Sequence, residues 1–317
     1  MQKSGKSRLF EVGMSVLIAA IIIVPFLGFT KSGDKIYVNE DASGTQDGSS
    51  KHPYKTIWQG LDKADKGDKV IVAKGTYKER ITIPKGVELS GAGKGKTIIK
   101  SSDRHDDPVI NMKDDTKIWG VTVKEGRIGI YVRENANVEI NEVEVRDNRR
   151  EGILIEKGER TDKEKVSIVK SDIKENGWSG IYSKKRKLVI IESDIKNNKR
   201  NGIVLESGVR AWIDDNSVSE NKESGMMANL DGADITVASK NTFRKNGKEG
   251  IEVSSYGAAG SIIVKKSRFF ENGRYGVARI SRVANIPASR WNGLVVQSDN
   301  VFTGQSIGNI SPIVRGF

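Results

Sequence analysis

The sequence predicts an all-β solenoid, a parallel β-helix with three strands per coil. Three observations lead to this prediction. A short motif recurs through the second half of the chain, apolar and polar residues alternate within each copy, and glycine is frequent whereas proline and aromatic residues are scarce. The alternation has the period of a strand and not that of a helix. A repeat of this kind is typical of a solenoid, in which each unit buries its apolar face only by stacking on its neighbours.

The recurring motif is an asparagine followed four residues later by a glycine and then by an apolar residue. Successive glycines of the motif are 22 to 28 residues apart, which is a suitable length for one coil of three short strands. Stacking would place equivalent residues above one another at the strand spacing of about 4.8 Å. The copies are Asn148/Gly152, Asn176/Gly180, Asn198/Gly202, Asn221/Gly225, Asn246/Gly250 and Asn272/Gly276, and Gly129-Ile130 is an earlier, degenerate copy.

Apolar residues of successive copies fall into two columns that we expect to face the interior, because stacking like on like buries a continuous core. The first column comprises Val145, Ile173, Ile195, Val218, Phe243 and Phe269. The second comprises Ile153, Ile181, Ile203, Met226, Ile251 and Val277. A third column consists of small polar residues at a bend, and we expect it to hydrogen-bond the backbone of the next coil. It comprises Ser171, Ser193, Asn216, Asn241 and Ser267.

The N-terminal part of the chain predicts a membrane segment. Three basic residues within 1–11 precede an uncharged run over 12–30, which is long enough to cross a bilayer as a helix. This is the pattern of an export signal. We interpret 1–11 as a basic cytoplasmic tail and 12–30 as a transmembrane anchor, with a cleaved signal peptide as the alternative. Both interpretations place the remaining domain, 31–317, outside the cytoplasm.

The net charge of +12 and the absence of cysteine narrow the functional classes. Without cysteine the chain has no disulfide, no thiolate metal ligand and no cysteine nucleophile. A basic protein favours an acidic partner. Export argues against nucleic acid, so we expect the partner to be an acidic polysaccharide.

The part of the domain before the repeat contains short strands, glycine-rich turns and one helical segment. Ile57, Leu61 and Ala64 have helical spacing. A short helix near 55–65 would close the open end of the stack, where core residues and strand edges would otherwise be exposed. The strand and turn motifs are Ile36-Tyr37-Val38, His52-Pro53-Tyr54, Gly67-Asp68-Lys69-Val70, Gly75-Thr76-Tyr77 and Gly91-Ala92-Gly93.

These motifs and the repeat together resemble the pectate-lyase-like superfamily, specifically the β-helix repeat proteins that include the NosD-like group. The resemblance covers about 36–300. It implies a right-handed parallel β-helix with an N-terminal capping helix. Members that act on polysaccharide hold the substrate along one outer sheet, and the resemblance places that sheet at the Gly-Ile strands. This fold carries several activities, so the resemblance implies the fold more strongly than the function.

The outward residues of the Gly-Ile strands form the candidate binding face. One column reads Tyr131, Leu154, Tyr182, Val204, Met227, Glu252 and Ala278, and the next reads Arg133, Glu156, Lys184, Glu206, Asn229 and Ser254. Exposed apolar surface usually marks an interface, and Tyr131 and Tyr182 are suited to stacking on sugar rings. One alternative is that a protein partner docks on the face of Tyr131, Leu154, Tyr182, Val204 and Met227. Another is that a long loop or the tail from Asn285 to Phe317 covers it.

Basic residues recur in the turns just before these strands and would form a positive ridge. They are Arg149, Arg150, Lys199, Arg200, Lys222, Lys248 and Arg274, with Trp178 among them. Regularly spaced cations would suit a uronic-acid polysaccharide, and a solvated turn surface is the alternative. The predicted substrate-binding residues are Tyr131, Tyr182, Arg133, Arg149, Arg150, Trp178, Lys199 and Arg200.

The charged column of the same face supplies the candidate catalytic residues. Glu156 and Glu206 lie two coils apart, with Lys184 between them. Their separation of about 10 Å is near the upper limit for the carboxylate pair of an inverting glycosidase. A salt-bridge ladder is the alternative interpretation.

A second acidic column supplies the candidate metal ligands. Glu144, Asp172 and Asp194 should project from another sheet on successive coils, and several converging oxygens are what Ca²⁺ requires. The alternative is mutual neutralisation, because basic residues point the same way two positions further on. Those residues are Arg146, Lys174 and Lys196.

The sequence thus predicts a membrane-anchored, extracytoplasmic β-helix protein that binds an acidic polysaccharide. One alternative is a polysaccharide lyase, epimerase or glycoside hydrolase with a divergent site, with Ca²⁺ as its candidate cofactor. The other is a non-catalytic scaffold.

Overall fold

The computed structural model describes residues 33–101, 107–159, 161–284 and 286–315. These residues form an all-β solenoid in which each strand pairs in parallel with the equivalent strand of the neighbouring coil, on both sides except at the two ends of a sheet. The chain visits three sheets in a fixed order, here named sheet 1, sheet 2 and sheet 3. The predicted three-stranded coil is therefore confirmed.

The sheets are long and continuous. Sheet 1 contains Lys35–Val38, Lys69–Val72, Glu88–Ser90, Thr116–Trp119, Val138–Asn141, Lys165–Val169, Lys187–Ile191, Arg210–Asp214, Asp234–Val237, Ser261–Val264 and Leu294–Val296. Sheet 2 contains Gly75–Lys78, Thr97–Lys100, Thr122–Lys124, Glu144–Arg146, Asp172–Lys174, Asp194–Lys196, Ser217–Ser219, Thr242–Arg244, Arg268–Phe270 and Val301–Thr303. Sheet 3 contains Ile81–Ile83, Ile110–Met112, Ile130–Val132, Ile153–Ile155, Ile181–Ser183, Ile203–Leu205, Met226–Asn229, Ile251–Ser255, Tyr275–Ser281 and Gly308–Arg315.

The two predicted apolar columns lie in register and are buried throughout. The column that begins with Val145 lies on sheet 2, and the column that begins with Ile153 lies on sheet 3. Phe302 extends the first column, and its ring stacks on Phe269 at a centroid distance of 4.7 Å. The core is thus a stack of identical layers, as the repeat predicts.

The motif asparagines form a buried ladder at the turn between sheets 2 and 3. Asn176 donates its backbone N–H and its side-chain amide to the Oδ1 of Asn198, at 3.1 and 3.0 Å. The motif glycine is required because a Cβ at Gly180 would lie 2.8 Å from both the Asn198 amide nitrogen and the Gly202 carbonyl oxygen. The spacing in the motif therefore reflects two close contacts between neighbouring coils.

The predicted polar column at the bend between sheets 1 and 2 is also confirmed. Ser193 donates its backbone N–H to the Oδ1 of Asn216 at 3.0 Å, and Asn216 donates to Asn241 in the same way at 3.1 Å. The residue before each of them has a positive φ, for example 51° at Glu192 and 53° at Asp215. This left-handed residue turns the chain sharply from one sheet to the next.

A helix at Ile57–Asp62 lies within the range predicted for the cap. Thr56 caps its N-terminus in a capping box with Gln59. Ile57 and Leu61 are buried against the first coils, and a Cβ on Gly60 would lie 2.7 Å from Val38. Two short 3-10 helices, Asp162–Glu164 and Ala288–Gly293, lie in connections from sheet 3 to sheet 1.

Two expectations about the ends of the chain have different outcomes. The described tail residues continue the stack through Leu294–Val296, Val301–Thr303 and Gly308–Arg315. Coverage of the candidate binding face by this tail was therefore a wrong alternative for 286–315. The predicted basic tail and anchor, 1–11 and 12–30, lie outside the described residues. Within the described part of the chain, no helix is both long and apolar enough to cross a membrane.

Candidate functional site

The predicted outward column on sheet 3 is in register from Tyr131 to Ala278. Its first half is partly open to solvent, since Tyr131, Leu154 and Tyr182 are half-buried. Further along, Glu252 is only 8% exposed and Ala278 is fully buried. This first column of the candidate binding face is thus most accessible around the two tyrosines.

The two tyrosines lie on coils separated by one intervening coil, about 10 Å apart. The Tyr182 hydroxyl donates a hydrogen bond of 2.7 Å to the Oε1 of Glu206. Burial raises the pKa of Tyr182, and Glu206 raises it further; burial likewise raises the pKa of Tyr131. Both rings therefore remain neutral and present a flat apolar surface, with the Tyr182 ring fixed in orientation.

The candidate catalytic residues are aligned, but each carboxylate has its own partner. Lys184 forms an ion pair of 2.7 Å with Glu156, whereas Glu206 accepts the Tyr182 hydroxyl. Arg133 donates to the Oδ1 of Asn111 at 3.0 Å. Each carboxylate thus has its own partner, and in place of the alternative salt-bridge ladder the column contains one ion pair and two hydrogen bonds between a charged and a neutral side chain.

Trp178 lies between two arginines in the turn beside Tyr182. The guanidinium carbons of Arg150 and Arg200 are 3.9 and 4.3 Å from the centroid of its ring. Each such contact contributes roughly 0.5 to 2 kcal/mol. Arg150 also pairs with buried Glu151 at 3.3 Å. Arg200 is exposed and forms no ion pair with any described residue, so its charge is held in a fixed position but not neutralised.

The basic residues of the positive ridge differ in exposure and in ion pairing from one end of the stack to the other. Lys199 and Lys222 are exposed in its middle. Towards the C-terminal end, Lys248 pairs with Glu223 at 3.2 Å and Arg274 pairs with Glu249 at 3.3 Å. The unneutralised positive charge is therefore concentrated near Trp178, next to the accessible part of the candidate binding face.

A buried acidic pair was not predicted as a site: Glu252 lies on the sheet 3 strand Ile251–Ser255, and Glu249 lies in the turn before it. The hydroxyl of Ser224 lies 3.0 Å from an Oε2 of Glu249 and 3.2 Å from the Oε2 of Glu252, and Arg282 is 2.5 Å from the other oxygen of Glu252. Burial raises the pKa of Glu252. A serine hydroxyl has one hydrogen to donate, so a proton on one carboxyl would satisfy both contacts.

The candidate metal ligands form a column, but their charges are paired. Lys174 is 2.8 Å from Glu144, Lys94 is 2.9 Å from Asp172, and Lys196 pairs with Asp194. Burial alone would raise the pKa of Glu144, but hydrogen bonds from Lys174 and other neighbours outweigh it and lower the pKa. No metal-binding group of acidic or histidine side chains is found among the described residues. Mutual neutralisation is the arrangement observed.

Arg186 is the largest fully buried side chain of the described residues and was not singled out by the sequence. Among the described residues its guanidinium donates only to backbone carbonyls, including those of Lys157 at 2.8 Å, Glu164 at 2.9 Å and Glu156 at 3.1 Å. Burial lowers its pKa. The side chain ties the long connection after Ile153–Ile155 to the edge of sheet 3, where Glu156 lies.

Comparison with known proteins supports the fold. The protein-family model described as the right-handed beta helix region matches residues 160–306 of this chain. Protein YwoF of Bacillus subtilis (strain 168) is 25% identical over a match covering 44% of this chain and 35% of that protein, so the chain spans about a third of its relative's length.

Two solved structures share the architecture. Pectate lyase Pel9A has 14% identity and a TM-score of 0.57, with 89% of this chain and 79% of that one covered. An alginate lyase from Paenibacillus sp. str. FPU-7 has 15% identity and a TM-score of 0.60, with 87% and 99% covered. The predicted resemblance to pectate-lyase-like, right-handed parallel β-helices is thus confirmed for the fold.

Proposed function

We propose that this protein is an extracytoplasmic β-helix, anchored by residues 12–30, that binds an acidic polysaccharide along the outer face of sheet 3. The observation that carries the proposal is the Arg150–Trp178–Arg200 stack beside Tyr182. A guanidinium presents a planar fork that matches a carboxylate. Stacking fixes Arg200 before any ligand arrives, which reduces the entropy lost on binding.

The aromatic and charged elements suit different parts of one uronic acid polymer. Tyr131 and Tyr182 offer apolar ring faces to the C–H surface of sugars, while Arg200, Lys199 and Lys222 offer positive charge to the carboxylates. The names of the two solved relatives are consistent with this class of partner, since pectate and alginate are both acidic polysaccharides.

The direct test is binding of the protein to immobilised polyuronate over a range of salt concentrations. Replacing Tyr131 and Tyr182 together by alanine should weaken retention roughly tenfold, because the stacking surface is lost. Arg200→Gln should weaken it by a similar factor and should also reduce its salt dependence. Arg268→Gln is the matched control, because Arg268 is an exposed arginine on sheet 2. Equal retention of wild type and both sheet 3 variants would refute the proposal.

A polysaccharide-cleaving or epimerising activity is the second candidate function, and Glu252 is the observation that favours it. A carboxyl group with a raised pKa keeps its proton to a higher pH than an exposed carboxyl group does and can donate it to a leaving oxygen. Turnover would release unsaturated products that absorb in the ultraviolet, or new reducing ends, whereas epimerisation would change the uronate composition. Glu252→Gln should abolish such turnover while leaving retention on polyuronate intact. Retention without any product would leave the protein as a binding protein.

A further inference from the structure

The outward column of sheet 3 that contains Tyr131 continues for two more coils towards the N-terminus. Thr82 pairs with Asn111, and Asn111 pairs with Tyr131, on neighbouring strands. Because Ile81–Ile83 is the end strand of sheet 3, the column begins at Thr82. The candidate binding face therefore extends about 10 Å beyond Tyr131, and this additional part of it is polar.

A surface pocket of about 360 Å³ lies at this end of the face. Its lining comes from the outward column and from the turns that lead from sheet 2 into sheet 3, which is also where Trp178 lies. The lining residues are Arg80, Ile81, Thr82, Asp107, Pro108 and Asn111. The volume is at the lower end of the range for small-ligand sites, and the proposed function does not yet use this pocket.

The pocket contains two polar groups with hydrogen-bonding capacity to spare. The Oδ1 of Asn111 accepts a hydrogen bond of 3.0 Å from the Nε of Arg133, which fixes the orientation of the amide group. The Nδ2 of Asn111 and the hydroxyl of Thr82 form no hydrogen bond with any residue that the structure describes. An amide and a hydroxyl on neighbouring strands are suited to the hydroxyl groups of a sugar, which both donate and accept hydrogen bonds.

The ion pair between Arg80 and Asp107 shows that a carboxylate fits in this pocket. The Oδ2 of Asp107 is 3.1 Å from the Nη1 of Arg80, and the Asp107 side chain is 77% exposed. Ion pairs as exposed as this one contribute at most about 1 kcal/mol. A carboxylate of a ligand can therefore replace Asp107 at little cost, and the planar guanidinium of Arg80 matches such a group well.

We propose that this pocket is a subsite for one carboxylated sugar unit of the polysaccharide bound along sheet 3. Arg80 pairs with the carboxylate of that unit in place of Asp107, and Asn111 and Thr82 form hydrogen bonds with its hydroxyl groups. Asp107 thus competes with the ligand and lowers its affinity. The inference rests on the proposed function and extends the binding face from Tyr131 to the end strand of sheet 3.

The test is isothermal titration of the full-length protein with oligosaccharides of uronic acid that are long enough to span the face. Arg80→Gln should weaken their binding about tenfold, because a charge-assisted hydrogen bond is lost. Asp107→Asn should strengthen it about threefold, because the competing carboxylate is removed. Asp234→Asn is the matched control. Asp234 is also an exposed partner of an arginine, at 3.6 Å from Arg210 on sheet 1, and its replacement changes the net charge equally but should leave the affinity unchanged.

A double variant shows whether Arg80 and Asp107 act on the same group of the ligand. In the Arg80→Gln background, Asp107→Asn should no longer strengthen binding, because no guanidinium remains for the two carboxylates to share. Thr82→Val keeps the shape of the side chain and should weaken binding about threefold through loss of one hydrogen bond.

The possible failures of the subsite and of the proposed function are distinguishable. If Arg200→Gln weakened binding while Arg80→Gln and Asp107→Asn left it unchanged, the subsite would be overturned and the proposed function would stand. An equal gain in Asp107→Asn and Asp234→Asn would assign the effect to net charge and would likewise overturn the subsite. If the wild type did not bind these oligosaccharides at all, both proposals would be overturned.

Discussion

Sheets 2 and 3 share one backbone repeat, yet their outer faces differ in how their charges are paired. On sheet 2, Glu144 is paired with Lys174 and Arg146, and Asp172 is paired with Lys94. On sheet 3 one outward column is largely aromatic and aliphatic, and Arg200, in a turn before a sheet 3 strand, forms no ion pair with a described residue. A solenoid therefore determines where rows of side chains lie, while the residues within each row decide whether it is a solvated surface or a binding surface.

The acidic residues of the two sheets show the same contrast in their pKa values. Hydrogen bonds from Lys100 and Lys124 lower the pKa of Glu125, which follows a sheet 2 strand, to about 2. On sheet 3, burial raises the pKa of Glu252, and the neighbouring Glu249 adds to the effect. Sheet 2 thus stabilises carboxylates, whereas sheet 3 stabilises a protonated carboxyl group.

The largest expected difference between the two sheets is in the loss of stability when a charged side chain that hydrogen-bonds each sheet is replaced. Arg186→Met removes the donor shared by several buried carbonyls at the edge of sheet 3. Leaving buried polar groups unpaired should lower the free energy of unfolding by about 3 to 5 kcal/mol, measured by urea denaturation. Arg146→Met on sheet 2 removes two partly exposed ion pairs, with Glu144 and Asp147, and should cost less than about 1 kcal/mol. Similar losses in the two variants would show that Arg186 does not have this role.

The ladder along the edge shared by both sheets should give the next largest effect. Asn221→Ala removes the Oδ1 that accepts two hydrogen bonds from Asn198, at 3.1 and 2.9 Å, and the donor to the carbonyl of Ile195. We expect the free energy of unfolding to fall by about 2 to 3 kcal/mol. The adjacent exposed residue provides a control, since Lys222→Ala should change it by under about 0.5 kcal/mol. A neutral Asn221→Ala variant would contradict the structural role of the ladder.

The pKa of Glu252 is raised and the pKa of Glu144 is lowered, so the two residues should make stability depend on pH in opposite directions. Because the pKa of Glu252 is higher in the folded state, the folded protein binds its proton more tightly, and stability falls as pH rises above the ordinary value of 4.5. Because the pKa of Glu144 is lowered on folding, its contribution is lost as pH falls below the same value. Urea denaturation across pH should show Glu252→Gln flattening the upper range and Glu144→Gln the lower. The reverse assignment would contradict the contrast between the sheets.

The sequence predicted correctly which residues share a column, because a column depends only on the repeat. Strand alternation and the spacing of the motif placed Tyr131, Leu154 and Tyr182 in one column, and the registers confirm it. The same spacing placed Arg150, Trp178 and Arg200 on one ridge. It did not predict that the two guanidinium groups stack on the indole, because that contact depends on the rotamers of three long side chains.

Contacts formed by loops could not be predicted from the repeat at all. Lys94 reaches Asp172 from a glycine-rich loop that belongs to an earlier coil. Arg186 is enclosed by a connection whose length differs from one coil to the next, so its sequence position resembles that of an ordinary surface arginine. The pair Glu249 and Glu252 follows from burial by neighbouring coils, which residue type alone does not reveal.

Replacing one lysine on each sheet should have the smallest effect on stability but should distinguish a binding face from a solvated face most clearly. Lys174 and Lys184 occupy comparable ion pairs, at 2.8 Å to Glu144 on sheet 2 and at 2.7 Å to Glu156 on sheet 3. Replacing either lysine by glutamine should lower the free energy of unfolding by less than about 1 kcal/mol. Lys184→Gln leaves an unpaired negative charge on the face proposed to bind a polyanion, so only this variant should elute earlier from polyuronate. If Lys174→Gln eluted equally early, net charge alone would explain retention, and the binding face would have to be assigned elsewhere.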